Sequence, residues 1–211
     1  IGMLVHGLAR RRTGHAAPLA LLCLDNLPAN GDTLHGLVLA FAERVSTGLA
    51  RWIERECSFP NSMVDRIVPR TTDADRAAVR EALGGVDDAG AVVAEPFLGW
   101  AVEDRFAAGR PDWSAGGAQF VARAEPYESL KLRMLNGAHS AIAYLGVQAG
   151  WATVDQAIAQ PALARFLDAL LRDEVAPTLA HELAGFDLAG YRAQLLQRFA
   201  TRLGSLENSW Q

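Results

Sequence analysis

Pro18-Leu-Ala-Leu-Leu-Cys-Leu24 runs directly into Asp25-Asn-Leu-Pro-Ala-Asn-Gly-Asp32, and this junction decides the fold class. A continuous apolar run reads as a strand covered on both faces, as in a parallel sheet. The cluster after it is dense in turn formers, and open parallel α/β sheets bind ligands beyond the carboxyl ends of their strands. Asp25, Asn26 and Asn30 therefore stand where a site belongs. Asn30 and Asp32 also suit the cap of the next helix, expected over about 33–45. Asn26 lies too early for that role.

Outward from this junction, residues 3–13 read as a basic amphipathic helix, and Trp52–Glu56 closes another helical stretch. Phe59-Pro-Asn-Ser-Met-Val-Asp-Arg-Ile-Val-Pro69 has a proline near each end, which suits a short edge or crossover segment. Within it, Asp65 and Arg66 alone would read as a solvated ion pair. A helix capped by Asp73 is expected over 73–83, a loop over 84–90 and a strand at Ala91-Val-Val-Ala94, with a mixed, turn-rich stretch from Trp100 to Trp113. From Tyr127 helical periodicity takes over, at about 127–149, 153–158, 162–174 and 187–202. The expected architecture is an α/β part over 1–122 and an all-α part over 123–211.

Composition narrows the function. The 211 residues are 50% hydrophobic and 21% charged with a net charge of −4, an ordinary globular balance that gives no reason to expect nucleic acid or an anionic membrane. Cys23 and Cys57 stand apart, without metal-type spacing, and no signal peptide or membrane span is evident, so a reduced cytoplasmic protein is expected. The chain opens on Ile1 and closes on Asn208-Ser-Trp-Gln211, which reads as an internal piece of a longer polypeptide.

The chemistry concentrates in Lys131-Leu-Arg-Met-Leu-Asn136-Gly-Ala-His139. At about 100° per residue, Asn136 falls near 140° and His139 near 80° from Lys131. Leu135, Ala138, Ile142 and Leu145 fall within about 40° of it, which puts Lys131 mid-stripe among apolar side chains. Desolvation there disfavours the ammonium form and makes a usable base. The same spacing also fits a lysine stem that snorkels past the core beside a satisfied core histidine.

No P-loop, Gly-x-Ser-x-Gly elbow or His-Glu-x-x-His pattern occurs. A desolvated lysine, asparagine carboxamides and a histidine suit the interconversion of alcohol and carbonyl. Lysine takes the hydroxyl proton, amides hold the oxyanion and histidine orients the substrate. Hydride then goes to a nicotinamide, which implies a dinucleotide-binding fold. The Gly-x-Gly-x-x-Gly turn of such folds is absent here and is expected upstream of Ile1.

Phe59-Pro-Asn-Ser-Met-Val-Asp-Arg-Ile-Val-Pro69 together with Lys131-x4-Asn136-x2-His139 resembles the polyol-specific long-chain dehydrogenases/reductases, the family of mannitol dehydrogenase and fructuronate reductase. Supporting stretches are Asp25-Asn-Leu-Pro-Ala-Asn-Gly31, Glu95-Pro-Phe97, Trp100-Ala-Val-Glu-Asp104, Gly109-Arg-Pro-Asp-Trp113 and Ala118-Gln-Phe120. The resemblance implies a Rossmann-type dinucleotide-binding domain followed by an all-α C-terminal domain, both incomplete here. It also implies a metal-independent NAD-linked reaction, with NADP as the alternative cofactor, on a small-molecule sugar acid or polyol in the cleft between the two. By resemblance Lys131 is the general acid/base, Asn26 and Asn136 polarise the carbonyl and His139 positions substrate. Asp65 would lie near substrate and nicotinamide, as would Asn26, and Glu128 would relay protons to solvent.

Gly109-Arg-Pro-Asp-Trp113 and Lys131-Leu-Arg-Met-Leu-Asn136 look closer to fructuronate reductases (D-mannonate oxidoreductases) than to mannitol 2-dehydrogenases. A uronate needs a cationic clamp, for which Arg66, Arg110 and Arg133 are candidates, although Arg133 points away from Lys131 on the helix. The alternatives are mannitol 2-dehydrogenase activity and a truncated, non-catalytic remnant of the family. After Phe199 the resemblance departs, since Ala200-Thr-Arg-Leu-Gly-Ser-Leu replaces the family's Ser/Ala-Asn-Pro segment.

Overall fold

The apolar run after Pro18 forms only a short strand, β1 (Leu19–Ala20), paired in parallel with β2 (Cys57–Ser58). The computed structural model describes residues 1–14 and 17–201, so the divergent end from residue 202 onward, with the last residue of the helix expected over 187–202, lies outside the described residues. Among the described residues the cover expected on both faces of the 18–24 run is only partial, since Leu21 is buried but Leu24 is 60% exposed, and the pairing of β1 with β2 ends at Leu21 N–H donating to Ser58 O.

The chain divides into two compact units that do not follow a single cut: Ile1–Asp65 with Gly99–Glu128, and Arg66–Leu98 with Ser129 onward. In the first unit, α1 (Gly2–Thr13), α2 (Asn30–Val45) and α3 (Thr47–Glu56) bury Val5, Leu8, Val38, Leu49 and Ile53 in one apolar cluster with Leu21 and Phe59. At Gly31 the α2 backbone passes so near the chain before β3 that a Cβ there would lie 2.6 Å from Phe59 O and closer still to Pro60 O. Only glycine permits that approach.

A second sheet has the order β3 (Ser62–Asp65), β4 (Gly99–Glu103), β5 (Ala118–Val121). The β3 strand is an edge, as its flanking prolines suggest, and runs antiparallel to β4, which is parallel to β5. The stretch read as turn-rich thus contains β4. Its Ala101, Val102 and Glu103 are buried in succession, so the strand lacks the period-two alternation that would have marked it. Trp100, Phe106, Trp113 and Phe120 pack together with ring centroids 5.3–6.2 Å apart, Trp113 stacked on Trp100 and Phe120 and Phe106 edge-on to Trp113 and Phe120.

In the second unit, α4 (Asp73–Ala82) is capped by Thr72, not by Asp73. Thr72 Oγ1 accepts from Asp75 N–H while the Asp75 carboxylate accepts from Thr72 N–H, a reciprocal capping box. The strand expected at Ala91–Ala94 is irregular; the one ladder-like bond there is Glu95 N–H to Ile67 O, 3.1 Å. The helical part begins with α5 (Glu125–Leu130), whose first four residues belong to the first unit, and runs on through a π turn (Lys131–Asn136), α6 (Gly137–Gln148), α7 (Val154–Ile158) and α8 (Pro161–Ala169). A second π turn (Leu170–Val175), α9 (Ala176–Leu179) and α10 (Leu188–Ala200) complete it. The second π turn leads into Pro177, which has no N–H to close an ordinary α turn. Met134, Ile142, Leu167, Leu171, Leu195 and Phe199 form the buried interior.

Candidate functional site

The π turn at Lys131–Asn136 changes how the helix presents its side chains. Gly137 N–H donates to Leu132 O, five residues back. An i→i+5 turn advances each residue by about 80° instead of about 100°. Asn136 then comes to about 40° from Lys131 and His139 to about −20°, so all three share an arc of roughly 60°. On an uninterrupted α-helix the spread would be about 140°. By the same count Leu130, Met134, Ala138 and Ile142 stay in one row about 80–120° to the side of Lys131, and these four are the fully buried residues of the segment. Lys131 is half-buried beside that row and Leu145 is 38% exposed, which corrects the mid-stripe placement. The extra residue in the turn keeps the row facing the core while it stacks the functional side chains over one another.

His139 is half-buried, its ring 6.2 Å from the ring of Phe199 on α10. Burial pushes its pKa below the ordinary histidine value, so the neutral imidazole prevails at neutral pH. Asn136, also half-buried, has its main-chain carbonyl bonded by Ser140 Oγ at 2.9 Å.

In the first unit, exposed Asn26 lies on the loop that leaves the carboxyl end of β1. Asn30, expected only to cap a helix, is 1% exposed and ties this loop to β3. Its Nδ2 donates to Cys23 O (2.9 Å), Asp25 O (3.1 Å) and Ser62 O (2.9 Å), and its Oδ1 accepts from Ser62 N–H (2.9 Å). Ala29 just before it is left-handed at φ 46°, a conformation costly for a residue with a Cβ. Its N–H is held by both oxygens of Glu128, at 3.2 and 3.3 Å. Burial raises the Glu128 pKa, and the charges of Glu103, Glu125 and Asp32 add to it against the opposing effect of the Ala29 amide.

Asp65 closes β3, buried at 2% exposure. Asn61 just upstream donates its N–H to Glu103 Oε2 and its Nδ2 to Asp32 Oδ2, while Arg105 joins Glu103 (2.6 Å) and Asp32 (2.9 Å). Burial works against ionisation of Glu103, but the Asn61 and Ala124 amides and Arg105 overcome it and lower its pKa. The buried web of Asn30, Asn61 and Glu103 was missed in the sequence, where only the turn cluster around Asn30 hinted at it.

Of the three candidate clamps, Arg110 is spent on Asp104 (2.6 and 2.8 Å) and on the face of Phe120. Arg133 is tied to Thr178 O at 2.9 Å. Arg66 is exposed, and its hydrogen bond among the described residues uses only Nε, to Glu95 O at 2.9 Å. No group of His, Cys, Asp or Glu among the described residues converges as a metal site would require, and no helix among them is long and apolar enough to cross a membrane.

A first part of short parallel-paired strands and helices followed by an almost wholly helical second part has the order of a Rossmann-like domain and a helical C-terminal domain. The chain belongs to the mannitol dehydrogenase family: residues 1–115 match that family's Rossmann domain and residues 123–203 its C-terminal domain. It is 44% identical over 199 residues to the uncharacterized oxidoreductase YeiQ of Escherichia coli, covering 94% of this chain and 40% of that protein. It is 42% identical to the D-mannonate oxidoreductase of Escherichia coli, covering 95% and 41% respectively. The structure of Pseudomonas fluorescens mannitol 2-dehydrogenase in ternary complex with NAD and D-mannitol superposes with a TM-score of 0.81 at 37% identity, covering 99% of this chain and 42% of that one. The chain thus spans about two fifths of the length of the relatives it matches.

Proposed function

We propose that this chain carries the substrate-side chemistry of an NAD-dependent secondary-alcohol dehydrogenase that interconverts a ketone and an alcohol of a sugar acid, with D-fructuronate reduction to D-mannonate as the reaction. The observation that carries it is the π turn at Lys131–Asn136, which by residue count brings Lys131, Asn136 and His139 within an arc of roughly 60°. In the reducing direction Lys131 Nζ gives its proton to the carbonyl oxygen as hydride reaches the carbon. The carboxamide N–H groups of Asn136 and Asn26 hold the charge that develops on that oxygen. His139, neutral by burial, orients a neighbouring hydroxyl. Glu128, with its raised pKa, passes protons between the site and solvent. In oxidation each transfer runs backward.

The nicotinamide, when bound, supplies or accepts the hydride. The loop bearing Asn26 fits that group, since it leaves the carboxyl end of a parallel strand, where such folds bind their cofactors. Asp65 would complete that side. The glycine-rich turn that binds the pyrophosphate does not occur in these 211 residues.

Support for a carboxylate substrate comes from Arg66, whose two Nη groups form the planar fork that carboxylates prefer. A second reading, a polyol dehydrogenase acting on mannitol and fructose, is favoured by the commitment of Arg110 and Arg133 to other partners. The remnant reading applies if no cofactor binds at all. We place the enzyme in the cytoplasm on the strength of its isolated cysteines.

The test is a spectrophotometric assay of the full-length protein, following NADH and NADPH consumption with D-fructuronate, D-tagaturonate and D-fructose, with and without chelator. Chelator-resistant oxidation of NADH by fructuronate supports the proposal. Turnover with fructose alone replaces it with the polyol reading, and no turnover with any of the three leaves the remnant.

A further inference from the structure

Glu95 and Arg198 are buried at 3% and 6% exposure, outside the residues assigned above. Arg198 Nε donates to Glu95 Oε2 at 3.0 Å and Nη2 to Oε1 at 2.7 Å, a two-pronged pair whose partners are 103 residues apart in sequence. The Phe97 ring lies 4.0 Å from the guanidinium carbon. Glu95 Oε1 also accepts from Ile67 N–H at 2.6 Å, and Glu95 N–H donates to Ile67 O at 3.1 Å. The Glu95 carbonyl accepts from Arg66 Nε at 2.9 Å. Residues 66–67 are therefore fastened to Glu95 by three bonds, and Glu95 is fastened to α10 by two more. The next residue on α10 is Phe199, 2% exposed, whose ring backs His139.

Burying two ions is a poor way to gain stability, since a well-packed apolar pair of similar size does as well or better. A charged fork with a shared backbone amide does what an apolar pair does not: it admits one register. The groups held in register here are Arg66 on one side and the wall behind His139 on the other.

We propose that the Glu95–Arg198 pair is a positioning device for substrate binding, fixing Arg66 toward the substrate carboxylate and seating Phe199 behind His139. The role rests on the functional reading above. Neither residue touches the reacting atoms. Both act through the residues they hold.

Removing one partner breaks a buried charge pair, which strongly destabilises many proteins. The informative variant is the charge-balanced double, Glu95→Gln with Arg198→Met, in the full-length protein. The glutamine carbonyl still accepts from Ile67 N–H, while the tie to α10 is cut. Steady-state kinetics are followed with whichever of D-fructuronate, D-tagaturonate and D-fructose the wild type turns over, beside thermal unfolding. The expected result is a sugar KM raised by about tenfold or more, with kcat within about threefold, NADH KM unchanged and the unfolding midpoint near that of the wild type. The single variant Arg198→Lys, which keeps the charge but loses the fork, is expected to fall between the two. A double variant with the sugar KM of the wild type overturns the inference, and so does a parallel loss in kcat, both KM values and the midpoint, which marks a purely structural pair. A wild type inactive on all three sugars defeats the functional reading and the positioning role with it. An active wild type with an indifferent double variant defeats the positioning role alone.

Discussion

Replacing Asn30 with alanine tests whether the loop bearing Asn26 is held by a side chain or by its own turn geometry. The substitution strands the buried Ser62 N–H, whose partner is Asn30 Oδ1, at a cost of about 1–3 kcal/mol. It also removes donation to Cys23 O, Asp25 O and Ser62 O, each worth about 0.5–1.5 kcal/mol net. Two effects offset part of this. Ser62 Oγ still donates to Cys23 O at 2.8 Å, and alanine is the better helix former at the first position of α2 by about half a kcal/mol. The net expectation is a loss of about 2–4 kcal/mol. For a chain of this size that is a fall of about 5–15 °C in Tm by calorimetry. The kcat should fall further than the fraction unfolded explains, because Asn26 loses its support. Asn30→Asp is the informative partner. It keeps the acceptor for Ser62 N–H but turns a carboxylate toward three carbonyl oxygens, so it should be more destabilised at pH 8 than at pH 5. An Asn30→Ala protein melting within about 2 °C of the wild type, or an Asn30→Asp protein indistinguishable from it at both pH values, would refute the reasoning.

Three further outcomes are expected. Lys131→Ala should lower kcat by about 10²- to 10⁴-fold and leave NADH affinity, measured by fluorescence titration, nearly unchanged; equal activity would remove lysine from the mechanism. Glu128 has a raised pKa in the fold, so its contribution to stability is complete below the ordinary value of 4.5 and is lost as pH rises through the raised value. Glu128→Gln, which keeps an acceptor for Ala29 N–H, should therefore raise the unfolding midpoint at pH 8 and not at pH 4, while activity falls; a lower midpoint at pH 8 would contradict the account in which burial, helped by like charges, raises the pKa. For His139 the sign is opposite: its lowered pKa stabilises the fold above 6.5, and that contribution is lost as pH falls through the folded value. Its ring signals in an NMR titration should show a midpoint below 6.5, and one at or above that value would place the ring in water.

Helices were legible where one face repeats locally. The α2 and α10 helices lie within a few residues of expectation, and the edge character of β3 followed from its prolines. The β4 strand escaped because burial of Ala101, Val102 and Glu103 in succession depends on what the rest of the chain lays against them. The strand expected at Ala91–Ala94 failed for the converse reason. Its apolar residues pair with no strand among the described residues, and the backbone bonds there are the isolated Glu95–Ile67 and Ala91–Asp88 contacts.

Lys131, Asn136 and His139 were picked out by residue type and spacing and Asn26 by its place after an apolar run, because chemical capacity belongs to the side chain itself, whereas Asp65, Arg66 and Glu128 became candidates only through the resemblance to the family. Their arrangement was not. Counting an ideal helix spread the lysine, asparagine and histidine over about 140°, and only the π turn, a backbone hydrogen bond reaching five residues back from Gly137, drew them together. Asn30 stood out only as part of a turn cluster and Glu95 only within a stretch that supports the resemblance, and Arg198 carried no signal, since each derives its role from partners up to 103 residues away. The sequence by itself determined which groups can donate, accept or move a proton. Which of them are desolvated, aligned and held still was decided by the tertiary structure, because those properties depend on distance through space and not along the chain.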